Sequence, residues 1–323
     1  MITLKNKQKE SLFAPYLRKP LIIAAIAIFC CALWGSATPC IKIGYQLMRP
    51  ESDVASTVLF AGLRFFLAGV LTIVIFSIAR RRILYPRLSN SGRILTVSLF
   101  QTVLQYIFFY MGLSLTSGVK GTIASGSGAF FAILIASLVF RQEKLGIKKV
   151  IACVLGFSGI VIINIKGLKL NAEIGDLLVI ISAIAYATST VLMKRFSKYE
   201  DPVVISGYQF IVGGAVMILG GLAFGGYVTV DSWQAVLMLG YLALLSALAY
   251  SLWGILLKYN PVSRVSIYNF MTPVFGVLLS TLMLTESSNV DALNVVISLL
   301  LVSTGIFLLN FKRETKSKDK LLK

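Results

Sequence analysis

Apolar segments of about 20 residues recur along the whole chain, and they constrain its fold more than any other feature. An α-helix needs about 20 apolar residues to cross the hydrocarbon core of a bilayer, because each residue advances it by only about 1.5 Å. Hydrophobic residues make up 57% of the chain and charged residues 14%, against about a quarter charged in a soluble domain. The sequence therefore predicts an all-α membrane protein of ten transmembrane helices. These helices cover residues 20–45, 54–79, 92–114, 117–139, 147–165, 175–196, 202–224, 232–257, 262–284 and 291–311.

The basic residues predict how these helices are oriented. With ten helices, 25 of the 31 Lys and Arg residues fall in the two tails and the loops on the same side as the tails. Because cytoplasmic loops carry an excess of Lys and Arg, we expect both tails, 1–19 and 312–323, to be cytoplasmic in a multi-pass protein of the cell membrane. This pattern also explains the net charge of +18 without a nucleic-acid partner.

The chain lacks the residues that several classes of chemistry need. The chain has no histidine, and its four cysteines form no CxxC pair, so we expect neither a metal nor another cofactor. No P-loop occurs, and no pair of carboxylates falls within the predicted helices. We therefore expect no enzymatic activity and no ATP hydrolysis.

The two halves of the chain resemble each other in order. Residues 33–42 align with 185–194 at an offset of 152, and residues 62–73 align with 207–218 at an offset of 145. The first alignment pairs Trp34 with Tyr186, Thr38 with Thr190, and Lys42 with Lys194. The sequence thus predicts two repeats, 20–165 and 175–311, with five helices each.

An odd number of helices per repeat means that the second repeat enters the membrane from the opposite side. Inverted repeats are the building plan of many secondary transporters, whose halves rock around a substrate near the bilayer midplane. The pattern therefore favours transport by alternating access over a receptor or scaffold.

Several motifs carry a family resemblance. They are "ALWGS" in the first helix, "LRFFLAG" in the second, Glu143 after the fourth, Gly175–Asp176 at the start of the sixth, and "TPVFGVLLSTLMLTE" in the ninth. In this order and spacing the chain resembles the drug/metabolite transporter (DMT) superfamily, specifically its EamA-type members. The resemblance implies a ten-helix fold and export or exchange of small metabolites without ATP hydrolysis.

Charged residues inside predicted helices are functional hypotheses by default, because they are costly in lipid. Arg64 lies about 15 Å deep and has no acidic residue at comparable depth, so it needs either polar protein partners or an anionic substrate group. Lys42 and Lys194 lie near helix ends and are either snorkelling residues or a symmetric pair at a gate or interface. The lack of a buried acid also favours facilitated export or exchange over proton antiport.

Polar and aromatic residues at helical spacing predict a cavity, although each of them could instead serve helix packing. The candidate substrate-binding residues are Trp34, Thr38, Arg64, Gln105, Tyr186, Thr190, Gln209, Tyr250, Trp253, Tyr268 and Asn269. Candidate hinges are Pro39, Pro273, Gly126 and Gly128, because proline kinks a helix and glycine loosens it.

A cavity that combines polar and aromatic residues suits amino acids or similar amphipathic metabolites. The alternative substrates are nucleotide-linked or lipid-linked sugars. We expect the partners to be a small-molecule substrate and the lipid bilayer, with the chain acting as a monomer or homodimer.

Overall fold

A computed structural model describes residues 14–48, 53–116, 118–165, 173–283 and 292–310. Those ranges hold helices and connecting loops, with no β-strand among them. The predicted all-α fold is thereby confirmed. The predicted C-terminal tail and most of the N-terminal tail lie outside the described residues.

The first half of the chain forms five helical segments. They are α1 (Pro20–Met48), α2 (Val54–Ala79), α3 (Leu88–Ser114), α4 (Lys120–Val139) and α5 (Ile147–Ile163). The second half forms five more. They are α6 (Ile174–Phe196), α7 (Pro202–Ala223), α8 (Trp233–Tyr259), α9 (Val262–Met283) and α10 (Ala292–Asn310).

Nine helices within the described ranges are long and apolar enough to cross a membrane. The segment outside this set is α5, which has 17 residues. At 1.5 Å per residue it is about 26 Å long, slightly less than the roughly 30 Å hydrocarbon core. A tenth membrane-spanning helix stays a prediction.

Helix ends meet at two opposite faces of the bundle. At the face where α1 begins, the Asn260 side chain after α8 donates to the Leu17 carbonyl at 2.9 Å. At the same face, Glu143 after α4 accepts from the Ser263 backbone N–H at 3.0 Å, at the start of α9. We call this the first face.

The second face gathers the other helix ends. The Thr229 N–H, in the loop before α8, donates to the Met48 carbonyl at the end of α1 at 3.0 Å. Lys120 at the start of α4 lies 3.4 Å from Asp176 in the first turn of α6. Successive helices therefore run in alternating directions between the two faces.

The packing of the helices is reciprocal between the two halves. The helix α1 packs against α8 and α9, while α6 packs against α3 and α4. The helix α2 packs against α7, and α5 packs against α10. Glycines permit the α2–α7 contact, because a Cβ on Gly214 would lie 2.4 Å from the Phe66 backbone nitrogen.

Three helices depart from regular α-geometry. Both α3 and α4 contain π-helical segments, Leu99–Leu104 and Ile135–Val139. In α9, the 3-10 segment Ile267–Phe270 precedes Met271–Met283.

The candidate hinges fall at differing places in this geometry. Gly126 and Gly128 flank a break in α4 at Ser127, and Pro273 lies in the first turn after the 3-10 segment of α9. Pro39 is inside the continuous helix α1. Their role as hinges stays a prediction.

Candidate functional site

A cavity of about 220 Å³ lies where the two halves meet. Four helices of the first half and three of the second, namely α6, α8 and α9, form its wall. The lining residues are Trp34, Ala37, Thr38, Ile41, Arg64, Gln105, Tyr106, Phe109, Tyr110, Ser125, Gly126, Ser182, Ala183, Tyr186, Tyr250, Asn269, Thr272 and Pro273.

Arg64 brings a positive charge to the wall while being only 2% exposed. Its Nε and Nη2 donate to the hydroxyl of Ser246 on α8, at 3.3 and 3.1 Å. That hydroxyl in turn donates to the Leu242 carbonyl at 2.9 Å. The Nη1 atom is buried and has no hydrogen-bond partner in the part of the chain that the structure describes.

Aromatic rings form much of the remaining wall. The Trp34 ring packs edge-on against Tyr250 and Trp253, with centroids 5.1 and 5.0 Å apart. The hydroxyls of Tyr106 and Tyr250 are 2.8 Å apart and share a hydrogen bond between α3 and α8. Such contacts hold the rings in fixed positions, because offset and edge-to-face pairs are favourable.

Polar side chains on the wall are also tied into the helices. The Ser182 hydroxyl on α6 donates to the Gln105 carbonyl on α3 at 2.7 Å. On α9, the Thr272 hydroxyl donates to Asn269 Oδ1 at 3.1 Å. The wall therefore combines polar atoms with aromatic faces and is positioned by contacts between helices.

Among the residues that the structure describes, no aspartate or glutamate lines this cavity. The acidic residues that the structure describes lie in loops or at helix ends. One of them, Asp53, caps α2 by accepting from the Ser56 N–H at 2.7 Å, and the hydrogen bonds from Ser56 hold the pKa of its carboxyl below the ordinary value. The charge of Arg64 is therefore not balanced by an acidic side chain on the wall.

A densely packed apolar core separates the cavity from the first face. Ile23 and Ala27 of α1, Leu256 of α8 and Val262 and Val265 of α9 are fully buried there. The structure is therefore closed between the cavity and the first face.

The structure brings many of the predicted site residues together on the cavity wall. They are Trp34, Thr38, Arg64, Gln105, Tyr186, Tyr250 and Asn269, and the candidate hinges Gly126 and Pro273 join them. Gly128 lies beside this group, since a Cβ there would approach the Tyr186 ring at 3.0 Å.

Four of the candidate substrate-binding residues do not line the cavity. Trp253 and Tyr268 belong to the apolar core toward the first face. Gln209 is buried between α7 and α3, where its Oε1 accepts from the Thr102 hydroxyl at 2.6 Å. Thr190 is also buried, one turn beyond Tyr186.

The two candidate gate lysines differ in their surroundings. The Nζ of Lys194 donates to the carbonyls of Leu257 and Asn260 at 3.0 and 2.5 Å, at the end of α8. Lys42 is exposed near the end of α1.

Sequence reasoning missed the aromatic part of the α3 wall and the partner of Arg64. Tyr106, Phe109 and Tyr110 follow Gln105 at helical spacing, which is the signal that could have extended the polar stripe of α3. Ser246 gave no such signal, because a serine in an apolar helix is common.

Comparison with known proteins identifies the family of this chain. The sequence model of the EamA-like transporter family matches residues 21–165 and 173–311. A solved crystal structure has the same fold, with a TM-score of 0.70, 16% identity, and coverage of 90% of this chain and 98% of that chain.

Curated relatives include proteins that are named as transporters. The chain is 27% identical to "Uncharacterized transporter YvbV" of Bacillus subtilis over 94% of each protein, and 26% identical to "Uncharacterized transporter sll0355" of Synechocystis over 88% of each. It is 23% identical to "WAT1-related protein At3g02690, chloroplastic" of Arabidopsis thaliana, over 86% of this chain and 67% of that protein. The resemblance to the DMT superfamily is thereby confirmed. The chain is a multi-pass membrane protein that belongs to the EamA-like transporter family.

Proposed function

We propose that this chain is a secondary transporter that exports small amphipathic metabolites, such as amino acids or related compounds, across the cell membrane by alternating access. The observation that carries the proposal is the cavity between the two halves, which combines aromatic faces, polar side chains and the buried charge of Arg64. Binding sites for small molecules are typically concave and largely apolar, with a few convergent polar groups.

Two inverted repeats of five spans are part of this proposal. The reciprocal packing supports it: the contacts of α1 with α8 and α9 correspond to those of α6 with α3 and α4. The two matched segments of the family model, 21–165 and 173–311, also coincide with the two proposed repeats. An inverted pair of this kind gives two states of similar energy in which the cavity opens to opposite sides.

We propose further that the first face is cytoplasmic. Basic residues lie at or beside the helix ends that meet there, among them Arg80, Arg141, Arg195 and Arg264. The positive-inside rule assigns such a face to the cytoplasm. The core that closes the first face then makes the present structure closed to the cytoplasm.

The transport proposal is tested by flux in proteoliposomes. The purified protein is reconstituted, loaded with an unlabelled amino acid mixture, and assayed for counterflow of each labelled amino acid, with and without a pH gradient. We expect counterflow of at least one of them without any need for the gradient, because no described residue of the cavity wall is acidic.

The matched variants are Thr38→Trp and Thr304→Trp. The first fills the cavity and should abolish counterflow, whereas Thr304 is exposed on α10 and its substitution should leave flux unchanged. Unaltered flux in Thr38→Trp, or no counterflow of any tested metabolite in the wild type, contradicts the proposal.

A further inference from the structure

The charge on the cavity wall is unbalanced in a way that points to the substrate. Of the described residues that line the cavity, only Arg64 is charged. A buried charge is costly unless it is paired and hydrogen-bonded, and a protein that buries an arginine normally supplies a carboxylate. Here the protein supplies the neutral hydroxyl of Ser246 and the face of the Phe65 ring, whose centroid is 4.7 Å from the guanidinium carbon, but no carboxylate among the described residues of the wall.

The hydrogen bonds of Arg64 leave part of its guanidinium without an acceptor. Nε and Nη2 both donate to the same Ser246 oxygen, at 3.3 and 3.1 Å, and Nη1 donates to no atom of the described chain. A guanidinium presents five N–H donors in a planar fork that fits a carboxylate. The protein therefore holds the fork in position without satisfying it.

A second unsatisfied donor lies on the same wall. Trp34 Nε1 is buried and finds no hydrogen-bond acceptor within the described ranges. The indole is held by its edge-on contacts with Tyr250 and Trp253, so it cannot readily turn toward another acceptor. An indole N–H only donates, so it also calls for an acceptor from the ligand.

Charge and size restrict what that ligand is. One arginine neutralises one negative charge, whereas a nucleotide-linked sugar carries at least two. The cavity volume of about 220 Å³ is also below the roughly 300–1,000 Å³ typical of sites for drug-sized ligands. Both observations favour a compact ligand with a single negative group.

We infer that the substrate is a monocarboxylate with a compact apolar body, whose carboxylate is bound by Arg64 and Trp34. Its apolar part lies against the rings of Tyr106, Phe109 and Tyr110. This inference rests on the proposed transport function and adds the chemical class of the substrate. The site rejects neutral amides, because they leave the arginine charge unpaired. It rejects permanent cations, because the arginine repels them.

Matched acid and amide pairs test the inference on the purified full-length protein. The probes are L-phenylalanine and L-phenylalaninamide, L-leucine and L-leucinamide, and 3-phenylpropionate and 3-phenylpropionamide. Thermal unfolding is followed in detergent as each probe is titrated. We expect at least one acid to raise the melting temperature and none of the amides to do so.

Arg64→Gln should raise the acid concentration needed for half-maximal stabilisation about tenfold or more, as expected for loss of a hydrogen bond to a charged group. Arg64→Lys keeps the charge but not the fork, and should fall between wild type and Arg64→Gln. Arg195→Gln is the control, because it removes the same charge from an exposed site outside the cavity and should leave binding unchanged. If Arg64→Gln does not fold, the inference is tested by the difference between acids and amides in the wild type and in Arg64→Lys.

Equal stabilisation by an acid and its amide, unchanged binding in Arg64→Gln, or no stabilisation by any acid overturns the inference. Flux of the same probes in proteoliposomes separates this failure from failure of transport itself. If amides are transported at the same rate as the acids, the inference of a carboxylate substrate is wrong but the proposed transport function stands. Absence of any metabolite flux discards the proposed function.

Discussion

Buried and half-buried cations in this molecule are stabilised by different kinds of acceptor. Lys120 pairs with Glu173 and Asp176, at 3.2 and 3.4 Å, where α4 and α6 begin. Lys194 uses two carbonyls at the end of α8, and Arg64 uses one hydroxyl. Lys120 and Lys194 each have two oxygen acceptors, whereas the buried Nη1 of Arg64, beside the cavity, has none among the described residues.

The role of Lys194 as a helix cap leads to a prediction for stability. Its ammonium group satisfies two carbonyls at the α8 C-terminus, where the helix dipole also favours positive charge. Lys194→Met should lower the free energy of unfolding by about 1–2 kcal/mol. Denaturant unfolding in mild detergent measures this change.

The control is Lys198→Met, which removes an exposed charge just after the end of α6, the helix that carries Lys194. It should have no comparable effect. If both variants have the same free energy of unfolding as the wild type, the capping bonds of Lys194 do not contribute to stability. Its role as a gate lysine is then the better explanation.

Individual site residues were partly predictable from the sequence. The depth of Arg64 and its lack of an acidic partner were evident, and so was the stripe of Trp34 and Thr38 on α1. Which face of a helix a polar residue occupies was not evident, because lipid and protein core are equally apolar surroundings. Gln209, which aligns with Arg64 in the repeat, therefore looked like a cavity residue although it bonds to Thr102.

At the scale of helices, the α2–α7 pair depends on residues that lack a side chain. A Cβ on Gly214 would lie 2.4 Å from the Phe66 nitrogen, closer than any van der Waals contact allows. Gly220 lies on the same helix, but a Cβ there would meet nothing within 4 Å. These two glycines make a matched pair for an experiment.

Gly214→Ala should separate the two helices and reduce the yield and melting temperature of the folded protein, because the neighbouring backbone cannot yield cheaply. Gly220→Ala should leave the melting temperature unchanged or raise it slightly, since alanine favours a helix by about 0.5–1 kcal/mol over glycine. Size-exclusion chromatography and thermal unfolding measure both. A Gly214→Ala protein as stable as Gly220→Ala is the contrary outcome.

Helix existence and approximate bounds followed from hydropathy, as α6 illustrates: residues 175–196 were predicted and Ile174–Phe196 is observed. The irregular segments did not follow. No local residue such as proline marks the π-helical turns of α3 and α4, and hydropathy does not distinguish a 3-10 segment such as that of α9 from an α-helix.

At the scale of the whole molecule, two halves surround the cavity that holds Arg64. The helix ends sort into two faces, and the core toward the first face is closed while polar and aromatic groups surround the space beyond it. A transporter needs a second arrangement in which the cavity reaches the first face instead. In the proposed alternating-access mechanism, the two halves exchange their equivalent contacts to reach this arrangement.

Two-sided access to the cavity is the central claim, and it is most directly tested by labelling single cysteines with a membrane-impermeant maleimide. The four native cysteines, all buried, are first replaced. Ser89→Cys on the first face and Asp231→Cys before α8 serve as one-sided references, and Thr38→Cys reports on the cavity. Intact cells and inverted membrane vesicles expose opposite sides to the reagent.

The account predicts that Ser89→Cys reacts only in inverted vesicles, that Asp231→Cys reacts only in cells, and that Thr38→Cys reacts in both. Reaction of Thr38→Cys from one side only, while both references behave as predicted, would contradict alternating access to this cavity.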